Sequence, residues 1–331
     1  MRELLKKTWF RYCLNLALIV LLYAVLMTVE GSGIIKKYYM LLLIPVGYNI
    51  ILTASLNLSA GFLGQLPLGH AGFMSIGAYT AALVTLHMQA PAIIEFPLAL
   101  MCGGLVAAIF GVLVGLPVLR LNGDYLAIIT LGFGEIIRVI ILNLEFTGGA
   151  FGLKGMPKYT NISTVFICVV VTLFIINTLI KSRHGRAILS IREDEIASAA
   201  SGINVTRYKV LAFSVSAFFA GIAGGLYAHY LGILDPATFG FNYSIEILVM
   251  VVLGGMGSLM GSVVSAGVLT ILPEMLRGFD SYRMIMYSLL LIVVMIFKPS
   301  GLFGKYDFSL GDSLSKLFTI RKKEKKVKGG N

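Results

Sequence analysis

The sequence predicts an all-α protein, a polytopic transmembrane helical bundle, and three observations carry that prediction. Of its 331 residues 57% are hydrophobic and only 13% are charged, about half the charge content of a soluble domain. Mean hydropathy is +0.89. Apolar runs long enough to cross a hydrocarbon core of about 30 Å recur along the whole length, which excludes a soluble reading.

Taken in order, the apolar runs give a first span over 13–29 and a second over 38–60. The segment 61–73, GFLGQLPLGHAGF, places Gly61, Gly64, Gln65, Pro67 and His70 between two apolar stretches and is predicted to break the helix. Irregular backbone exposed to lipid leaves amides unpaired, so such a segment must be buried in protein or lie at the surface. Spans over 71–88, 96–116, 125–142 and 162–180 follow, then a charged loop over 181–209 and a span over 210–230. The apolar block 245–276 is too long for one span and is interrupted by GGMGSLMG, containing Gly254, Gly255 and Gly257, so it divides into two short or broken helices. A last span over 284–297 brings the total to about ten, which places both termini on one side. The two glycine-rich breaks fall between consecutive spans in the two halves, a pattern of duplicated transporter folds, although no residue-level repeat is visible.

Charge supplies the sidedness. The formal charge is +11, yet nineteen of the 27 Lys and Arg lie in three places: the N-terminus 1–12, the loop 181–209 and the tail 298–331. That is the positive-inside distribution, and it makes all three segments cytoplasmic without invoking nucleic acid as a partner. The expected organisation is a cytoplasmic basic N-terminus over 1–12, a transmembrane domain over 13–297 containing the cytoplasmic loop 181–209, and a cytoplasmic basic tail over 298–331. Multi-pass insertion follows, with the lipid bilayer as surroundings and the tail free to meet anionic lipid.

No enzyme chemistry is visible. The chain has no HExxH, no paired-carboxylate motif, no Gly-x-Ser-x-Gly with partners and no GxxxxGK[ST], so neither a catalytic site nor a nucleotide site of its own is expected. Cys13, Cys102 and Cys168 sit in apolar runs without metal-ligand spacing, and no metal or other cofactor is called for. Glu135 and Arg138 stand three apart on one helix face and form an intramembrane charge pair. Glu246, His87 and His229 lie near span ends and are read as interfacial.

The loop 183–213, RHGRAILSIREDEIASAASGINVTRYKVLAF, is the most informative hydrophilic segment. Ser190 and Glu193 fit a capping box that would start a helix over 191–201, with Arg192, Glu193, Asp194 and Glu195 in its first turns, Ala199 on its body and Gly202 as terminator. A short capped helix joined to an otherwise inert membrane domain suits docking onto a soluble partner.

With these residues the chain resembles the LivM-type permeases of ATP-binding cassette transporters for branched-chain amino acids. The likeness rests on LNLSAGFLGQLPLGHAGFMSIGAYTAAL from Leu56, GDYLAIITLGFGEIIRVI from Gly123 with TGGAFGLKGMP from Thr147, the segment from Gly185 to Ala228, and the late GGMGSLMG. The resemblance implies a transport subunit of the bacterial inner membrane that pairs with a second related permease, two cytoplasmic ATP-binding subunits and an extracytoplasmic solute-binding protein. The helix over 191–201 would be the coupling helix, although Ile196 stands where general importers carry a glutamate. The glycine-rich breaks, with His70 and Gln65, would line or flex beside the pathway. Two other readings stay open: a permease for urea or short amides, and an ion-coupled transporter working through Glu135, Arg138 and His70.

Overall fold

The computed structural model describes residues 8–32, 36–88, 90–119, 121, 123–298, 301, 302 and 304. The basic residues expected at the cytoplasmic N-terminus below residue 8 and in the tail beyond 304 lie outside these, as does the side chain of Cys13. The chain divides into two units, residues 1–40 with 306–331 and residues 41–305. The first contains helix α1, Thr8–Ser32. All that follows concerns the second, which α2 (Lys37–Leu41) leads into.

Helices dominate, as the composition requires. In order they are α3 (Leu43–Asn57), α4 (His70–His87), α5 (Ala92–Val118), α6 (Asp124–Asn143), α7 (Ile162–Lys181), α8 (Arg183–Glu193), α9 (Glu195–Ala200), α10 (Val205–Leu231), α11 (Phe241–Gly254), α12 (Leu259–Met275) and α13 (Arg283–Phe297). Among the described residues six helical segments are long and apolar enough to cross a membrane: Lys37–Phe62, Ala92–Val118, Asp124–Asn143, Ile162–Lys181, Val205–Leu231 and Leu259–Gly278. The chain is thus an all-α, multi-pass membrane protein. The strands β1 (Leu153–Lys154) and β2 (Ile233–Leu234) pair antiparallel, Leu153 opposite Leu234, and tie the loop before α7 to the loop after α10.

The core forms where α4 and α5 pack on α10, and small residues make it possible. A Cβ on Gly221 of α10 would come 2.7 Å from the Gly103 carbonyl and 2.7 Å from the Ala107 methyl of α5, and Gly77 of α4 meets Gly221 on the same face. In lipid the hydrophobic effect does not drive helices together, so close backbone approach of this kind supplies the van der Waals contact that does.

Two sequence expectations need correction here. The break predicted over 61–73 is shorter: α3 runs into a π-helical turn, Leu58–Phe62, and α4 already begins at His70. The amides of its first turn have partners, Gly72 N–H donating to the Gly69 carbonyl at 3.0 Å and Ala71 N–H to Ser244 Oγ at 3.2 Å. Gly72 is helical because it packs on α6, where a Cβ would come 2.9 Å from Gly134 Cα. The apolar block 245–276 does split, but α11 starts at Phe241, four residues before the block, which puts Glu246 in its second turn.

Candidate functional site

The second glycine-rich break joins α11 to α12 through residues 255–258, where Gly255 and Gly257 adopt φ of +106° and +87° that only glycine accepts without strain. Gly254 packs against Gly261, which closes the turn. The two breaks, far apart in sequence, meet. Asn57, fully buried at the end of α3, accepts the Gly257 N–H through Oδ1 at 2.8 Å. Its Nδ2 donates to the Ser258 carbonyl at 2.9 Å and to Ser262 Oγ at 2.8 Å. A Cβ on Gly61 would collide with Asn57 Oδ1 and the Gly257 amide, so Gly61 is required by contact and Gly257 by its φ.

Charge reaches this junction from the hydrophilic loop. Arg192 Nη1 donates to the Gly61 carbonyl at 2.8 Å, and its side chain lies over Gly64, where a Cβ would come 2.7 Å from Arg192 Cγ. The same guanidinium is paired with Glu193 through Nη2 at 2.6 Å. Gly64 is exposed with φ of +80°, and half-buried Gln65 donates its amide to the Ser59 carbonyl at 2.9 Å.

The single helix expected over 191–201 is two helices, because Asp194 wins the competition for capping. Its Oδ1 accepts from the amides of Ile196 and Ala197, both at 2.9 Å, while its own backbone is extended. This ends α8 at Glu193 and starts α9 at Glu195. Ser190 forms no capping box; its hydroxyl donates to the Ala187 carbonyl within α8. The terminator is where the sequence places it. Gly202, φ +85°, donates to the Ala199 carbonyl and Ile203 to the Ser198 carbonyl, the paired closing bonds of a Schellman motif.

Two further residues complete the arrangement: Lys209, to which the sequence assigns no site role, and Ile196, which departs there from the importer glutamate. Lys209 of α10 is only 2% exposed and pairs with Glu195 Oε2 at 2.7 Å, fixing α9 to a long helix of the bundle. Ile196 projects from α9 at 82% exposure. The charge pattern of the loop contains the first signal, a lysine at the onset of an apolar span; the second is an isoleucine among acidic and small residues.

The remaining candidates lie elsewhere. Glu135 and Arg138 form their expected pair at 2.7 Å, and Glu135 Oε1 also accepts the Phe241 amide at 3.0 Å, capping α11. His70, 2% exposed, has Nε2 2.9 Å from Ser55 Oγ and sits in the core rather than on an open pathway of this chain. His229 is not interfacial: it is fully buried, donates Nδ1–H to the Gly225 carbonyl at 2.8 Å and stacks on Tyr159. Exposed His87 bonds the Leu83 carbonyl of its own helix at 2.9 Å. Among the described residues no group of His, Cys, Asp and Glu could hold a metal ion.

Comparison with known proteins fits this geometry. The family described as "Branched-chain amino acid transport system / permease component" matches residues 39–297. The high-affinity branched-chain amino acid transport system permease protein LivM of Salmonella typhimurium is 41% identical over 288 residues, covering 76% of this chain and 67% of that relative. LivH of Escherichia coli K12 is 32% identical over 126 residues, 38% of this chain and 41% of LivH. The ribose import permease protein RbsC of the same organism is 26% identical over 324 residues, 89% of this chain and 95% of RbsC. No solved structure matches. These relatives are permeases, not enzymes, and the chain belongs to the family of branched-chain amino acid transport permease components, of LivM type.

Proposed function

We propose that the chain is one of two permease subunits of an ATP-driven importer of branched-chain amino acids, crossing the bacterial inner membrane about ten times with both termini in the cytoplasm. A second related permease completes the pathway, two separate subunits hydrolyse ATP, and an extracytoplasmic protein delivers the solute. The transmembrane domain extends over 13–297, between a basic N-terminal segment 1–12 and a basic tail 298–331. The loop 181–209 is the coupling element, and α9 is the part that docks.

The observation that carries the reading is the connection of this loop to both helix breaks. A force applied at exposed Ile196 is transmitted along two routes. One runs through Glu195 to buried Lys209 and hence into α10. The other runs through Arg192 to Gly61, which packs on Gly257. Discontinuous helices at such a point can tilt without breaking packed helix faces, because the glycine turns absorb the dihedral change. The movement of α9 that accompanies ATP-driven closure of the partner subunits is thereby converted to movement of α3, α11 and α12. The weak supply of ionisable groups in the spans favours ATP over an ion gradient as the energy source.

The decisive measurement is uptake of radiolabelled leucine, isoleucine and valine into proteoliposomes holding the complete set of subunits, with ATP enclosed and the solute-binding protein outside. Accumulation that needs ATP and the binding protein supports the assignment. Accumulation driven by a proton or sodium gradient without ATPase subunits overturns it.

A further inference from the structure

Several ionisable side chains of the bundle lie outside the coupling network, and one of them is exposed on α11. Glu246 lies on α11, is exposed, and among the described residues makes no hydrogen bond or ion pair. Its place follows from its neighbours on the helix. One turn before it Tyr243 donates to Asn49 Oδ1 at 3.1 Å, and Asn49 is central in the apolar segment Lys37–Phe62. One turn after it Met250 Sδ accepts from Thr53 Oγ1 at 3.5 Å. At 1.5 Å per residue Glu246 stands about 8 Å from the Phe241 end of α11 and about 12 Å from the Gly254 end, inside an apolar helix rather than at either terminus.

A carboxylate there is too costly to face lipid, so its exposed face belongs to a water-lined pathway or to another protein surface. The face has the composition of a pathway wall. Asn242, also exposed, precedes Glu246 by four residues and lies on the same side of the helix. Tyr243 stands three residues before it, one turn back along the helix. On the side of α11 turned toward α13, Leu248, Val249 and Val252 line an open apolar groove of about 490 Å³ together with Leu291, Ile292 and Ile296. A negative group one turn from a tyrosine, on a helix that also walls an aliphatic groove, is complementary to a solute with an ammonium group and a branched hydrocarbon side chain.

We infer that Glu246 is the pathway residue that takes the α-ammonium group of the amino acid in transit, with the α11–α13 groove receiving its side chain. This rests on the importer reading above. A zwitterion crossing the core must exchange water for fixed charges and dipoles, and Glu246 supplies the negative one.

The test uses the complete transporter, comparing Glu246→Gln and Glu246→Asp with the unsubstituted chain. Leucine accumulated per ATP hydrolysed should fall at least tenfold with Gln and recover to within about threefold with Asp. In a chain otherwise free of cysteine, Glu246→Cys should react with a cationic methanethiosulfonate reagent from water, more slowly when leucine and its binding protein are supplied. Uptake per ATP that is unchanged in Glu246→Gln overturns the inference. So does failure of Glu246→Gln to assemble with the second permease, which would assign the carboxylate to an intersubunit ion pair. If the unsubstituted complex itself carries no branched-chain amino acid, the importer reading has failed, and that result is separate from these.

Discussion

Arg192 and Gly61 are 131 residues apart in sequence and 2.8 Å apart in space, the guanidinium Nη1 donating to the carbonyl of a glycine in a π-helical turn. The bond joins the end of α8 to the junction of two broken helices. Hydrogen bonds from charged donors contribute about 1.5–3 kcal/mol. Arg192→Ala should therefore loosen the linkage between α8 and the bundle by that amount, lowering leucine transport about tenfold or more while ATP hydrolysis by the assembled complex falls much less. Parallel assays of uptake and phosphate release would show it, and proportional loss of both would count against a linking role.

Gly61 tolerates no side chain, since a Cβ would meet Asn57 Oδ1 and the Gly257 amide. Overpacking of this kind costs about 1–3 kcal/mol. Gly61→Ala should lower the melting temperature of the detergent-solubilised protein by several degrees, whereas Gly132→Ala, with nothing within 4 Å of the added methyl, should leave it unchanged.

Lys209, 2% exposed, faces Glu195, 41% exposed. Removing one partner of an ion pair costs more where the charge left behind is buried, although Lys209 Nζ still reaches the Leu119 carbonyl at 3.5 Å. The penalty is therefore unequal: Lys209→Met frees a carboxylate that can turn to water, while Glu195→Gln leaves an ammonium group in the core. Thermal unfolding should rank Glu195→Gln as the more destabilised, with the double variant more stable than that single one.

Ile196 on α9 exposes 82% of its surface. On the coupling function proposed above it is buried against an ATP-binding subunit, and an anchor buried at the centre of an interface contributes about 2 kcal/mol or more. Ile196→Ala should leave the thermal stability of the isolated chain within about 0.5 kcal/mol and weaken capture of the ATP-binding subunits about thirtyfold, as measured by titration of purified components.

Asp194 caps α9 through two amide bonds of 2.9 Å. Its replacement by Ala should cost about 1 kcal/mol and fray α9, which hydrogen exchange at Ile196 and Ala197 would detect; Asp194→Asn should retain most of the protection.

Much of the fold was legible because it depends on local chemistry. The long apolar helices, the breaks at glycine, the Glu135–Arg138 pair and the Gly202 terminator follow from side-chain type and spacing. The errors arose where tertiary partners outbid local preference. Helix α4 extends to His70 because Ser244, more than 170 positions away, takes up the Ala71 amide. At Ser190 and Asp194 two capping residues competed, and the acceptor able to bind two amides at once prevailed over a hydroxyl that turned back into its own helix. His229 was placed at an interface from its position near a span end, yet the loop carrying Tyr159 folds over it.

The sequence by itself determined that this is a helical multi-pass membrane protein of a permease family, with one charged loop suited to coupling. Hydrophobic length, charge placement and helix capping are properties of contiguous residues and need no partner. Only the tertiary structure decided that Gly61 and Gly257 touch, that Arg192 spans the distance to them, that Lys209 is buried and that Glu246 is left exposed. Those facts depend on how helices far apart in sequence pack. In a membrane, where water cannot satisfy a misplaced polar group, that packing determines which side chains pair with one another and which are left to face the pathway.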